Sequence, residues 1–300
     1  MSIAERTEQA SVRPVARRVV ARQALEGEGF PIRRPFPTQG LMDLDPFLML
    51  DEVGPVDWPP GEAKGAPDHP HRGFETVSYM LHGEKLHEDS TGKSQLLHGG
   101  DVQWMTAGAG IVHSEMPSER FRKAGGRTHS FQIWVNLPIA AKQATPGYQY
   151  VPGTDIPVGH SADGLIEAKV ISGEAFGAAG RIGTHTPVVL QDWIVQPGGH
   201  GGVDLPADHN AALYVFQGSV VTGPGEETVE DGTLAILGAG RRIEIAAAPE
   251  ADGPARLLLL AGRPIGEPVA RYGPFVMTTE AEIHQAIRDY QSGRMGAIRR

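Results

Sequence analysis

Tyr79-Met-Leu-His-Gly83 is a short apolar run that ends on a turn glycine, and Tyr214-Val-Phe-Gln-Gly218 repeats it 135 residues later. A second echo follows each: Gly100 to Gly108 and Gly232 to Gly240 share two glycines and an alanine (Ala107, Ala239) at an offset of 132. A strand running into a glycine turn, then a strand leaving another, in the same order in both halves, is what duplication of one β unit leaves behind. Further β-prone runs separated by turn signals surround these anchors, at 76–81, 102–105, 111–113 and 131–135, and again at 168–171, 188–195, 212–216, 234–237, 243–246 and 257–260. With 39 glycines, 24 prolines and only 6% aromatic residues, the composition also favours short strands and tight turns. The expected class is all-β, with two tandem barrels and a short C-terminal helix.

The segment 138–164 is rich in proline and glycine and lacks periodicity, so it reads as an irregular connector. This places a first barrel at 20–140, a connector at 141–164 and a second barrel at 165–300. The second closes on a helix, because Thr279-Glu-Ala-Glu282 is a capping-box pattern followed by Ile283, Ala286, Ile287 and Tyr290 at helical spacing and by Gly293. Residues 1–30 read as a polar leader with some extended structure.

The net charge of −9 and the lack of any Lys/Arg run argue against direct contact with nucleic acid. No stretch has the apolar length of a membrane span or a signal core, so a cytoplasmic protein is expected. The chain has no cysteine, which excludes disulfides and thiolate ligands and leaves imidazole and carboxylate as the donors for any transition metal.

Such donors occur in two matched pairs. In Asp68-His-Pro-His-Arg-Gly-Phe-Glu75, His69 and His71 are two apart, so on a strand both face the same way; His113 and Glu115 in Ile111-Val-His-Ser-Glu115 repeat the spacing. If the two strands lie side by side inside a barrel, three nitrogens and one carboxylate surround a single point. That donor set suits divalent iron, nickel, copper, manganese or zinc. Glu75 shares the parity of 69 and 71, but Gly73 interrupts the strand, so it is expected behind the ligands or in an ion pair. His82, His87 and His98 fall near strand ends or turns, where solvated imidazoles are the default. Trp104, Met105, Phe131 and Trp134 are candidates to line a cavity, and Gly108-Ala-Gly110 reads as a turn. At the duplicate positions stand Asp204, Pro206, Ile245 and Ala247, so the second barrel is expected to carry no site.

Four segments closely resemble the pirin family: His69-Pro-His-Arg-Gly-Phe-Glu-Thr-Val-Ser-Tyr79, Gly100-Asp-Val-Gln-Trp-Met-Thr-Ala-Gly108, Gly110-Ile-Val-His-Ser-Glu-Met-Pro117 and Gln132-Ile-Trp-Val-Asn-Leu137. The resemblance extends from about residue 45 to the end, through Tyr272-Gly-Pro-Phe-Val-Met277 and Asp289-Tyr-Gln-Ser-Gly293. It implies two cupin (jelly-roll) barrels and carries the ligand roles to His69, His71, His113 and Glu115, with Fe(II) the first choice of metal. Some pirins are flavonol 2,4-dioxygenases (quercetinases), so the resemblance implies opening of a flavonol heterocycle by O2 with release of carbon monoxide. Two positions left open on the metal suit that reaction, and Glu115 would act as general base. Other pirins are iron-dependent, redox-responsive partners of transcription factors or metabolic enzymes, which makes a non-enzymatic protein partner the contrasting expectation. A monomer is expected, since duplication covers within one chain the surface that single cupins bury by dimerising.

Overall fold

Strands with one apolar face need a second layer to cover it, and the chain builds two such pairs of sheets. The computed structural model describes residues 11–248 and 252–300. In the first unit, seven strands run in the order Gly147–Val151, Val102–Thr106, Phe74–His82, Gly126–Asn136, Phe47–Trp58, Phe30–Phe36 and Arg22–Glu26. Its second sheet has the order Ala66–His71, Ile111–Met116, Glu84–Asp89 and Ser94–His98. Phe36, Phe47, Val77, Trp104, Phe131 and Ile133 are fully buried in this unit.

The second unit repeats the plan. Its larger sheet runs Val15–Val20, Thr233–Leu237, Asn210–Gln217, Ala255–Gly262, Val188–Val195, Ile166–Ser172 and Val158–His160; its smaller one runs His200–Asp204, Arg242–Ala247, Ser219–Thr222 and Glu227–Glu230. Every ladder within these sheets is antiparallel. The duplication is therefore topological, because Phe74–His82 and Asn210–Gln217 occupy the same place in their sheets, as do Ala66–His71 and His200–Asp204.

Register refines the expected equivalences. His69 lies opposite His113 and His71 opposite Ile111. In the second unit Gly201 lies opposite Ile245 and Val203 opposite Ile243. The counterparts of His69 and His71 are thus Gly201 and Val203, and not the Asp204 and Pro206 given by a constant offset, since the connection between strands differs in length. Val203 and Ile245 belong to one apolar cluster with Trp193, Leu213 and Leu257. Packed side chains fill this barrel where the first has imidazoles.

Two segments group differently from the sequence division. Residues Ile265–Arg300 cluster with Arg22–Asp155, whereas residues 11–21 cluster with Ile156–Pro264. The helix Glu280–Gln291, opened by the expected Thr279/Glu282 capping box, buries Ile283 and Ala286 in a cluster with Val112, Phe275, Met277 and Met295. Tyr290 stays 39% exposed. An apolar helix face docks wherever a complementary surface stands, and sequence distance does not set that choice. The connector is also more regular than expected, because Gly147–Val151 adds an edge strand to Val102–Thr106. No helix among the described residues is long and apolar enough to cross a membrane.

Gly73 joins the two sheets of the first unit at the point where the ligand strand ends. Its φ is +87°, and a Cβ there would meet the Val276 carbonyl oxygen at 2.0 Å. Gly73→Ala is expected to cost about 2 kcal/mol or more, from left-handed strain plus the clash. A urea melt of the full chain checks this, and an unchanged midpoint would refute it. The same bend sends Glu75 onto another sheet from His69 and His71, which ends the parity argument for it as a ligand.

Candidate metal centre

Antiparallel pairing of Ala66–His71 with Ile111–Met116 sets His69 directly opposite His113, so both side chains leave the same face, and period-two alternation adds His71. Ring centroids of the three imidazoles lie 4.3–4.8 Å apart, and one nitrogen from each falls within 4.8 Å of the others. Among the described residues this is the one group of three or more such donors found so close.

The hydrogen bonds show which nitrogens are free to bind. His69 Nδ1 lies 2.7 Å from the Pro67 carbonyl; a carbonyl only accepts, so Nδ1 carries the hydrogen and Nε2 keeps its lone pair. That Nε2 stands 3.1 Å from His71 Nε2. Two nitrogens sharing a metal at bonds of about 2.0–2.1 Å and a right angle would be about 3 Å apart. His113 Nε2 is buried with no hydrogen-bond partner, whereas His71 Nδ1, short of a well-formed bond, faces the Pro274 backbone. Buried polar atoms are rarely left unsatisfied. A cation among the imidazoles would satisfy His113, so the residues present fit a metal ion.

Electrostatics favour the ligand form. Burial, then the neighbouring His69, pushes His71 well below the ordinary histidine range, and burial with His69 and His71 does the same to His113. Both rings are therefore neutral at pH 7, as metal binding requires. Glu115 is buried on the same strand, close enough to act electrostatically on His71, although its carboxylate is not within 4.8 Å of all three imidazoles. Its Oε1 accepts from Ser78 Oγ at 2.6 Å and from Lys85 Nζ at 3.2 Å. Burial alone would raise its pKa, but Lys85, His87 and Ser78 outweigh that and bring it down to about 2.

Other candidates separate clearly. Glu75 is buried and accepts from Thr106 Oγ1 at 2.7 Å, away from the cluster. His82 is exposed and His98 is 54% exposed, as expected of solvated imidazoles. His87 differs: it is 1% exposed and stacked at a tilt 4.9 Å from His113. The available signal was weak: His87 shares its parity with Lys85 and Asp89 on the strand Glu84–Asp89, but the other face, Glu84, Leu86 and Glu88, is also largely polar. A cavity of about 660 Å³ has His69, His71, Glu115, Lys85, Gln132 and Trp134 in its wall. Trp134 lines it as expected, edge-on to His71 at 5.2 Å, whereas Trp104, Met105 and Phe131 are buried core.

A duplicated barrel whose first copy clusters three imidazoles, two of them in the wall of a cavity, and whose second is packed with apolar side chains, defines a bicupin with a single candidate metal centre among the described residues. The pirin model matches residues 29–135 and the pirin C-terminal cupin domain residues 190–296. Human pirin is 40% identical over 291 residues, 95% of each chain. The crystal structure of a quercetin 2,3-dioxygenase from Acinetobacter baumannii superposes with a TM-score of 0.89 at 35% identity, covering 96% of this chain and all of that one. The Escherichia coli pirin YhhW, solved in complex with nickel(II), shares the fold at a TM-score of 0.60 and 18% identity, covering 85% of this chain and 99% of that one. This chain belongs to the pirin family.

Proposed function

We propose that the chain opens the heterocycle of a flavonol such as quercetin with O2, releasing carbon monoxide, by means of a divalent metal held by His69, His71, His113 and Glu115, with iron the first choice. The observation that carries this reading is the unpaired, buried His113 Nε2 beside His69 and His71, next to a cavity of about 660 Å³, which falls within the usual range for small-molecule sites. When bound, the ion supplies Lewis-acid polarisation and electron transfer to dioxygen. The protein's part is to position and to move a proton. Glu115, held ionised by Lys85 and Ser78, takes the proton of the substrate hydroxyl. Trp134 gives the aromatic substrate an apolar wall and excludes water. The solved relative is named for 2,3 chemistry, whereas the sequence resemblance points to attack at 2,4; opening of the ring is common to both.

Anaerobic reconstitution with Fe(II) followed by quercetin in an oxygen electrode tests the reading. Oxygen uptake matched by carbon monoxide release is expected, and product analysis then fixes which carbons are attacked. Stoichiometric metal without oxygen uptake would overturn the dioxygenase reading and favour the redox-responsive interaction protein.

A further inference from the structure

Behind His113, a line of polar side chains leads away from the triad, and neither the sheets nor the proposed chemistry accounts for it. His113 Nδ1 lies 3.4 Å from His87 Nδ1, and His87 Nε2 lies 2.9 Å from the Tyr148 hydroxyl. The phenol in turn stands by Asp89, whose Oδ2 is buried with no hydrogen-bond partner; burial and then this carboxylate push Tyr148 well above its ordinary range. His87, His113 and Asp89 are each 1% exposed. Asp89 is anchored through Oδ1, which accepts from Thr91 N, Thr91 Oγ1 and Lys93 N. Strand pairing brings the line together, since Glu84–Asp89 lies beside Ile111–Met116 with Asp89 opposite His113, and Tyr148 enters from the edge strand Gly147–Val151.

Hydrogens can be ordered along this line in two ways. In the first, the phenol donates towards Asp89, His87 Nε2–H donates to the phenol oxygen, and His113 Nδ1–H donates to His87 Nδ1. His113 Nε2 is then a bare lone pair facing His69 and His71. The second order reverses every donor and puts a hydrogen on His113 Nε2, where it would block a metal. A carboxylate only accepts, and a buried oxygen such as Asp89 Oδ2 is rarely left without a donor, so turning the phenol hydrogen towards the fixed Asp89 favours the first order.

We propose that Asp89, Tyr148 and His87 act as positioning residues that set the His113 tautomer and keep its Nε2 available to the metal. The inference rests on the triad being a metal site. Partners of this kind orient metal-bound histidines and change affinity by roughly 10–100-fold when removed.

The test is calorimetric titration of the full chain with Ni(II), which is stable in air, together with the visible ligand-field spectrum of the Co(II)-loaded protein. His87→Leu, which removes the acceptor, is expected to weaken Ni(II) binding by about 10–100-fold and to shift the Co(II) bands. His87→Asn, whose amide oxygen can replace Nδ1 as acceptor, should recover most of the affinity. Tyr148→Phe keeps the ring and cuts the line at one oxygen, so it should weaken binding by about 10-fold; it carries the test if His87→Leu fails to fold. Parent-like affinity and spectra in both His87→Leu and Tyr148→Phe would overturn the inference while leaving the metal site intact. A parent that binds no Ni(II) would sink the metal reading and this one with it.

Discussion

His113→Ala is expected to abolish flavonol-dependent oxygen uptake and to reduce metal affinity by more than about 100-fold, beyond the range seen for groups that merely support a ligand. The reason is the central place of this ring: it lies within 4.8 Å of both His71 and His69 by ring centroid and opposite His69 on the neighbouring strand. Loss of fold is a separate matter that the same experiment can read. Removing a buried ring leaves a cavity, which costs stability, but it also removes a buried nitrogen without a partner, so the two effects oppose each other in the metal-free protein. The contrast should appear on adding metal. At 100 times the dissociation constant a ligand stabilises its protein by about 2.7 kcal/mol; the parent should show that rise in a denaturant melt and the variant should not. Glu115→Gln keeps the shape and the Ser78 contact yet loses the charge that pairs with Lys85, so it should abolish oxygen uptake while weakening metal binding less than His113→Ala does, because three imidazoles remain. Oxygen uptake in His113→Ala equal to that of the parent would refute the assignment of the centre.

The duplication and the ligand pairs were legible because both depend on local periodicity. His69/His71 and His113/Glu115 declare a shared face through their spacing alone, and a glycine turn marks where each strand begins or ends. What sequence could not supply was pairing at a distance. The addition of Val15–Val20, read as part of a polar leader, to the second unit's sheet and of the Glu280–Gln291 helix to the first unit depends on which sheet edge or apolar surface is left to cover, and nothing local encodes that. The shift of three residues that replaces Asp204 by Gly201 as the counterpart of His69 is likewise invisible to a constant offset. His87 was passed over because it was weighed as a single histidine near a turn. Read with Lys85 and Asp89 on a strand, it belongs to the polar face that meets His113 and Glu115.

Asp289→Asn is expected to destabilise the protein by about 3 kcal/mol, the lower end for breaking a buried ion pair, because both partners keep a little solvent contact. Arg72, the residue after His71, donates through Nη1 to Asp289 Oδ2 at 2.7 Å and through Nε to the Ala109 carbonyl at 2.6 Å. The side chains are 11% and 13% exposed. Asp289 also accepts from Gln285 Nε2 and Arg294 Nε, each at 2.7 Å. One carboxylate on the C-terminal helix thereby ties down the end of the ligand strand, while Met295 from the same segment packs on Val112, next to His113. Loss of the charge leaves Arg72 desolvated beside a neutral amide. The pH dependence has a definite sign. Arg72, with smaller help from Gln285 and Arg294, holds the Asp289 carboxyl at about 2, against about 3.9 in an unfolded chain. The stabilisation is therefore complete above about pH 4 and drains away as the pH falls towards 2. Urea melts of the parent and Asp289→Asn should differ by a constant amount at pH 5–8 and converge as acid is added. Faster release of Ni(II) from the variant at neutral pH should accompany the loss, since the end of the ligand strand then keeps its backbone bonds to Pro274 and Val276 but loses the ion pair to the helix. Curves that stay parallel down to pH 2 would show that the ion pair does not govern acid stability, and the hold of the C-terminal segment on the metal strand would then have to come from the apolar cluster and the backbone bonds of Arg72.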